Sequence, residues 1–282
     1  MFEKDLLAGK RILVTGGGSG LGAAMGRRFA GLGAELVICG RRLERLEATA
    51  AEIGRDSGRR VSAIQCDIRD GAAVNAMLDT IWRQAPLDVL VNNAAATFIA
   101  QSERLSFRAA DAILAPTLHG AMYCTLGVGR RWIEDKHRGV VLSILSTSTI
   151  TGRAFTMPSA MAKSAVLAMT RSLAVEWGPR GIRTLAIAPG PFPTAGAASQ
   201  LRPEGRDEGA AAKNPLGRVG EHHELADLAS FLVSDAAGYI NGEMVVQDGG
   251  AHLRGSGAED LLQWSDAEWE SHRAARAKAT QD

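Results

Sequence analysis

Aromatic residues make up only 5% of the 282-residue chain, and just two of them are tyrosines, Tyr123 and Tyr239. Cysteine is nearly as scarce, and Cys39, Cys66 and Cys124 sit in apolar segments without metal-ligand spacing. They predict reduced, buried thiols rather than a disulfide framework or a metal centre, as suits a cytoplasmic protein. No apolar run approaches the roughly 18 residues that a membrane span requires. Net charge is almost absent too. The 32 basic and 31 acidic residues leave +1, so there is no electrostatic case for nucleic acid or an anionic membrane as partner. A strand pattern begins within about ten residues of the start, so no signal or transit peptide is expected. The end, "ATQD", carries no peroxisomal address.

What the chain has is alternation. Short, continuous apolar runs read as strands at 10–16, 34–40, 60–66, 87–93, 139–145, 182–190 and 243–250. Runs of this kind are expected of a parallel sheet covered on both faces. Helical patterns lie between them at 20–32, 42–54, 70–84, about 107–135, 158–177 and 221–234. Alternating units with short connections predict an α/β fold: a Rossmann-type, doubly wound parallel sheet. We expect one such domain over residues 1–250, including a long, mobile Pro-, Gly- and Ala-rich loop at 191–216. A tail at 251–282 follows, with a charged amphipathic helix at 265–279. Its Trp264 and Trp269 are expected to pack on the domain or on a neighbouring subunit.

The first strand runs into "TGGGSGLG" (15–22), which opens a helix. Glycines there permit a tight turn and a close approach to a pyrophosphate, whose charge the helix N-terminus favours. Gly16, Gly18, Ser19, Gly20, Leu21 and Gly22 are therefore candidate dinucleotide-binding residues. At the end of the second strand an NAD site usually carries an acidic residue for the ribose hydroxyls. Here "CGRRLE" offers Arg41, which suits a 2′-phosphate, so the expected cofactor is NADP(H). Asp67, ending the third strand, is placed to accept the adenine amino group. "NNAA" (92–95) ends the fourth strand and contributes Asn93. "APGPFPT" (188–194) ends the sixth, contributing Pro189, Gly190 and Phe192 beside the nicotinamide.

"PSAMAK" (158–163) places Ser159 one helical turn before Lys163, so both side chains point the same way. A lysine among small apolar neighbours costs free energy unless its ammonium finds partners.

Taken together, "TGGGSGLG", "NNAA", Ser146 after the fifth strand, Lys163 and "PG" at 189–190 resemble the short-chain dehydrogenase/reductase family over residues 8–250. The resemblance implies nicotinamide hydride transfer, frequent tetramers, and a lysine that holds the nicotinamide ribose while lowering a neighbouring hydroxyl's pKa. The family's tyrosine, four residues before the lysine, is Ser159 here. Its helix asparagine corresponds to Thr117, with His119 close by. Serine in place of tyrosine, with "AIQCDIRD", "NNAAATFIAQSERLS" and "INGEMVVQDGG", is similar to the family's 2,4-dienoyl-CoA reductases. By that resemblance Arg69, Phe98 and Ser106 contact an acyl-CoA, and Ser159, Lys163 and Ser146 form the catalytic group. The tyrosine that some of those reductases use corresponds to Ser148, and an arginine of their long loop to Gln200.

Ketone reduction makes an alkoxide, which calls for an acid such as a tyrosine of pKa about 10. Hydride addition to a conjugated thioester makes a less basic enolate, for which hydroxyl and ammonium donors suffice. The expected function is thus NADPH-dependent reduction of a 2,4-dienoyl-CoA or 2-enoyl-CoA in fatty-acid metabolism. A carbonyl reductase or alcohol dehydrogenase with its acid elsewhere, and a non-catalytic NADP-binding protein, are the alternatives. The helix at 158–177 is apolar or small on more than one face, which predicts a homotetramer.

Overall fold

The computed structural model describes residues 2–194, 209–255 and 259–279. Seven parallel strands form one sheet: β1 (Arg11–Thr15), β2 (Glu35–Gly40), β3 (Val61–Gln65), β4 (Val89–Asn92), β5 (Gly139–Ile144), β6 (Ile182–Pro189) and β7 (Met244–Gln247). Their order is β3-β2-β1-β4-β5-β6-β7. The apolar runs are continuous because both faces are covered, and Ile12, Leu13 and Val14 of β1 are fully buried. β1 pairs on one side with β2 (Leu13 opposite Val37) and on the other with β4 (Leu13 opposite Leu90).

Helices α1 (Gly20–Gly31), α2 (Leu43–Ser57), α3 (Gly71–Trp82), α4 (Phe107–Leu114) and α5 (Gly120–Glu134) precede β5 or the crossings to it. Then come a single turn α6 (Ser148–Thr151), the long α7 (Met157–Trp177), α8 (His222–Val233) and the tail helix α9 (Asp266–Ala279). One core lies under α1, α2 and α8, through Met25, Phe29, Ile53, Leu225 and Leu232. The other lies under α3, α5 and α7, through Leu78, Ile81, Val128, Trp132 and Trp177. This is the doubly wound arrangement expected. Its strand order reverses between β1 and β4, and a crevice opens there at the carboxyl ends of the strands.

One expectation needs correction. The helix expected over about 107–135 is interrupted: α4 ends at Leu114, a π-helical turn spans Ala115–His119, and α5 begins at Gly120. Pro116 explains the break, because it has no N–H to donate and its ring crowds the preceding turn. In the tail, Trp264 and Trp269 pack edge to face on each other, ring centroids 4.9 Å apart. Part of the 191–216 loop, with Gln200, lies outside the described residues. Among the described residues no helix is long and apolar enough to cross a membrane.

The helices are also capped where the sequence offers an acid. Asp70 Oδ1 accepts from the Ala72 and Ala73 N–H groups at 2.8 and 3.3 Å, starting α3 below β3. Asp70→Ala should lower the unfolding free energy by about 1 kcal/mol. The change should be seen as a lower urea midpoint at unchanged slope. An unchanged midpoint would show that the cap contributes nothing.

Candidate active site

The crevice is built around the β1–α1 turn. Thr15, the last residue of β1, donates its hydroxyl proton to the Val91 carbonyl at 3.2 Å and accepts from the Asn93 and Ala94 N–H groups at 3.0 and 3.1 Å. The Asn93 amide returns the contact, donating to the Thr15 carbonyl at 2.9 Å. β1 and β4 are thereby stitched together where their chains diverge. Gly16 turns at φ +66°, and a Cβ at Gly22 would sit 2.5 Å from the Gly16 carbonyl oxygen. The turn therefore closes only on glycine. Ser19, at the head of α1, makes no side-chain cap, and no acid lies in the first turn. The leading amides of α1 stay directed at whatever occupies the crevice, an arrangement suited to a pyrophosphate. Gly18 and Leu21 complete this turn.

At the adenosine end, β2 stops at Gly40, and the Arg41 carbonyl accepts from the Gln65 side-chain amide at 2.9 Å. Asp67 and Arg69 face each other: the Arg69 guanidinium bonds both Asp67 oxygens, at 2.9 and 3.0 Å through Nε. That contact is the main reason the Asp67 carboxyl is held below its usual range, with nearby Arg41 adding to it. The two residues proposed for different ligands thus begin as a pair.

At the other end, β5 delivers Ile144 and, two residues on, Ser146. Lys163, on the buried face of α7, donates from Nζ to the Ile144 carbonyl at 2.5 Å. Ser146 lies two residues beyond the Ile144 carbonyl that Lys163 bonds, and Ser159 lies one turn before Lys163 on α7. Burial pushes the Lys163 ammonium down to about 8. Ser148 donates to the Ser146 hydroxyl at 3.2 Å. The Ser159 hydroxyl, by contrast, has no hydrogen-bond partner among the described residues.

Pro189 and Gly190 end β6. A Cβ at Gly190 would lie 2.4 Å from that of Asp248, so the bend passes hard against the end of β7. Phe192 is buried against Gly220, and its ring belongs to the core under α8. The backbone of 189–193, rather than that ring, therefore borders the crevice.

Thr117 is the residue whose role the sequence left open. The π-helical turn aims its hydroxyl at the 94–97 loop, where it accepts from the Ala96 N–H at 3.0 Å and donates to the Ala96 carbonyl at 3.2 Å. His119 is exposed and stacks on Tyr123. Tyr123 faces α3, beside Gly71, and Tyr239 is fully exposed before β7, so neither phenol joins Ser159 and Lys163. Ser106 caps α4, accepting from the Ala109 N–H at 3.2 Å. Phe98 lies half-buried in the loop that Thr117 holds. Two residues had no sequence signal as site residues. Thr15 is one, and Ile144, whose carbonyl serves Lys163, is the other. Among the described residues no group of three or more His, Cys, Asp or Glu is arranged to hold a metal ion.

The glycine-only turn, the uncapped amides of α1 and the buried lysine at the far end fit a nicotinamide dinucleotide laid across the switch point. That defines an oxidoreductase of the doubly wound nicotinamide-binding class. A family model described as enoyl-(acyl carrier protein) reductase matches residues 16–252. A Bacillus subtilis (strain 168) protein named probable 2,4-dienoyl-CoA reductase, (2E)-enoyl-CoA-producing, is 42% identical over 250 residues, 86% of this chain and 97% of that protein. Among solved structures, a short chain dehydrogenase from Bacillus anthracis is 39% identical with a TM-score of 0.79, covering 87% of this chain and 97% of the other. A gluconate 5-dehydrogenase from Burkholderia cenocepacia, solved with NADP and tartrate, is 29% identical with a TM-score of 0.83, covering 89% and 99%. The chain belongs to the short-chain dehydrogenase/reductase family.

The depressed Lys163 pKa has a thermodynamic signature. From about pH 8 up to the ordinary lysine value of 10.5, the unfolded chain holds a proton that the folded protein has released. Stability therefore rises with pH across that window, and the full cost of burying the charge is felt below it. Lys163→Met removes this dependence. Its unfolding free energy relative to the unmodified protein should fall steadily between about pH 8 and pH 10. A constant difference would mean that Lys163 titrates as if exposed.

Proposed function

We propose that this oxidoreductase reduces a conjugated C=C bond of an acyl-CoA thioester, a 2,4-dienoyl-CoA or 2-enoyl-CoA, with NADPH. The observation that carries the reading is that Ser159, without a hydrogen-bond partner among the described residues, lies one turn before the buried Lys163 on α7, where no phenol joins them. When bound, the reduced nicotinamide supplies a hydride. The protein's own task is to bind the thioester oxygen as negative charge develops on it. The unpartnered Ser159 hydroxyl donates to that oxygen, and Ser146, backed by Ser148, adds a second donor. Lys163 contributes its charge and holds the ribose. These groups are too weakly acidic to protonate an alkoxide during ketone reduction, yet they suffice for an enolate. The names of relatives at 42% and 41% identity support the same substrate class.

Around this centre, Gly16, Gly18, Ser19, Gly20, Leu21 and Gly22 would cradle the pyrophosphate, with Asn93 fixing the turn. Arg41 would meet the 2′-phosphate and Asp67 the adenine, while Pro189, Gly190 and the backbone at Phe192 border the nicotinamide. Arg69, Phe98 and Ser106 would take the acyl-CoA, Arg69 exchanging Asp67 for a phosphate. The three cysteines are free and buried, which favours the cytoplasm as the working compartment.

With NADPH, the protein should turn over a 2,4-dienoyl-CoA and leave simple ketones unreduced. Ser159→Ala should lower kcat by about 10²–10³, as loss of an oxyanion donor does, at unchanged cofactor affinity. Full dienoyl-CoA activity in that variant would make the serine only a space-maker and overturn its role. Ketone reduction by the unmodified protein would favour the carbonyl-reductase reading.

The assembly we propose is a homotetramer. On α7, Met161 and Val175 are 54% and 80% exposed, and Leu126 of α5 is 41% exposed, an apolar surface that a second copy would cover. Sedimentation at micromolar concentration should show about four chains per particle. Monomer alone would overturn it.

A further inference from the structure

Past the end of β6 the crevice is bordered by a short segment, "GPFPT" (190–194). Pro191 and Pro193 have no N–H, so the segment is poor in donors, and its proline carbonyls must be satisfied from outside it. Both are served from the start of α8. The Gly220 N–H, just before that helix, donates to the Pro191 carbonyl at 3.0 Å. His222, the first residue of α8, donates from Nε2 to the Pro193 carbonyl at 2.6 Å. A carbonyl only accepts, so Nε2 carries the hydrogen. Between these two bonds the Phe192 ring lies so close to Gly220 that a Cβ there would stand 2.4 Å from it.

The next residue reaches the cofactor turn. Thr194 Cγ2 and Cβ lie 3.3 and 3.5 Å from where a Cβ of Gly20, the first residue of α1, would stand. α1 and α8 are themselves tied by the Arg28–Asp227 ion pair. The segment therefore joins the starts of two helices whose relation is fixed, and a single side chain holds its Pro193 carbonyl. His222 is not needed to begin its own helix. Glu224 reaches back to accept from the Glu221 N–H at 2.8 Å, completing a capping box there. The His222 ring is directed outside α8, onto the wall of the crevice.

We propose that His222 is a positioning residue for the nicotinamide dinucleotide: by holding the Pro193 carbonyl it keeps Thr194 against the head of α1 and slows release of the bound cofactor. Without this bond the empty protein gains freedom in the segment, which offsets the bond lost, and the cofactor must order the segment again on binding. The inference needs only the nicotinamide cofactor of the family. It does not depend on the choice between NADH and NADPH, or on the acyl-CoA reading.

The test is calorimetric titration of the full chain with NADPH and NADH, with release followed by stopped-flow fluorescence. His222→Phe keeps a ring but has no donor. It should weaken each cofactor that binds by about three- to tenfold, the range of one hydrogen bond, through faster release. The unfolding free energy without cofactor should stay nearly unchanged, and 5′-AMP, which lacks the nicotinamide half, should bind as before. His222→Gln should restore most of the affinity, because its amide nitrogen can stand where Nε2 stands. A lowered unfolding free energy with an untouched release rate would reduce His222 to a structural residue and overturn the proposal. Equal weakening of 5′-AMP would overturn it too, as would unchanged cofactor affinity in His222→Phe or a loss that His222→Gln does not restore. An unmodified protein that prefers NADH, or that leaves dienoyl-CoA unreduced, would defeat the readings above and leave this one standing.

Discussion

The stitch between the ends of β1 and β4 is the constraint on which the site depends. Two parallel strands that send their helices to opposite faces must part at their carboxyl ends, and parting strands leave backbone groups without ladder partners. Thr15 meets three of these demands with one hydroxyl, through Val91, Asn93 and Ala94. The Asn93 amide closes the loop on the Thr15 carbonyl. The crevice is thus held open by satisfied hydrogen bonds rather than by bulk. Its floor stays narrow enough that Gly22 must approach the Gly16 carbonyl without a side chain.

The Lys163 contact solves a different problem. A buried ammonium is costly, and a single backbone carbonyl, that of Ile144, returns only part of what water would supply. The deficit is the physical reason its pKa is pushed down to about 8. A lysine so placed gains from any nearby hydroxyl or developing anion, and the site retains that sensitivity because the protein does not satisfy it fully. Ser146 and Ser148 bond each other, while the Ser159 hydroxyl has no partner among the described residues.

Much of this was legible in the sequence, for physical reasons. Strands buried on both faces read as unbroken apolar runs, so all seven were visible, and the glycine turn was visible because nothing but glycine fits it. Ser159 and Lys163 were visible because spacing alone puts them on one face. Other features have no local signature. Thr15 precedes a glycine turn like any strand-end residue, and only the β1–β4 register gives its hydroxyl three partners. The interruption at Ala115–His119 was marked by Pro116, but an apolar helical pattern continues through it, and periodicity does not register one extra residue in a turn. Phe192 looked like a loop residue beside the cofactor. Its burial follows from Gly220, a contact across 28 positions that no window contains.

The π-helical turn shows how the chain accommodates a missing side chain. Where the family carries an asparagine, Thr117 has a shorter reach, and its hydroxyl is spent on both polar groups of Ala96. It fixes the 94–97 loop but has little left to offer a ligand or a water chain. Ser159 and Thr117 thus differ together from the tyrosine and asparagine that the resemblance assigns to their positions. In the enoyl reduction proposed above, an enolate would need its oxygen held more than it would need a fast, strong acid, and donors of modest acidity on rigid elements would be enough. The rigidity is supplied by the Thr117 clamp on one wall and the Lys163–Ile144 contact on the other. Precision of placement, rather than acid strength, would then be what the fold contributes to the proposed reaction.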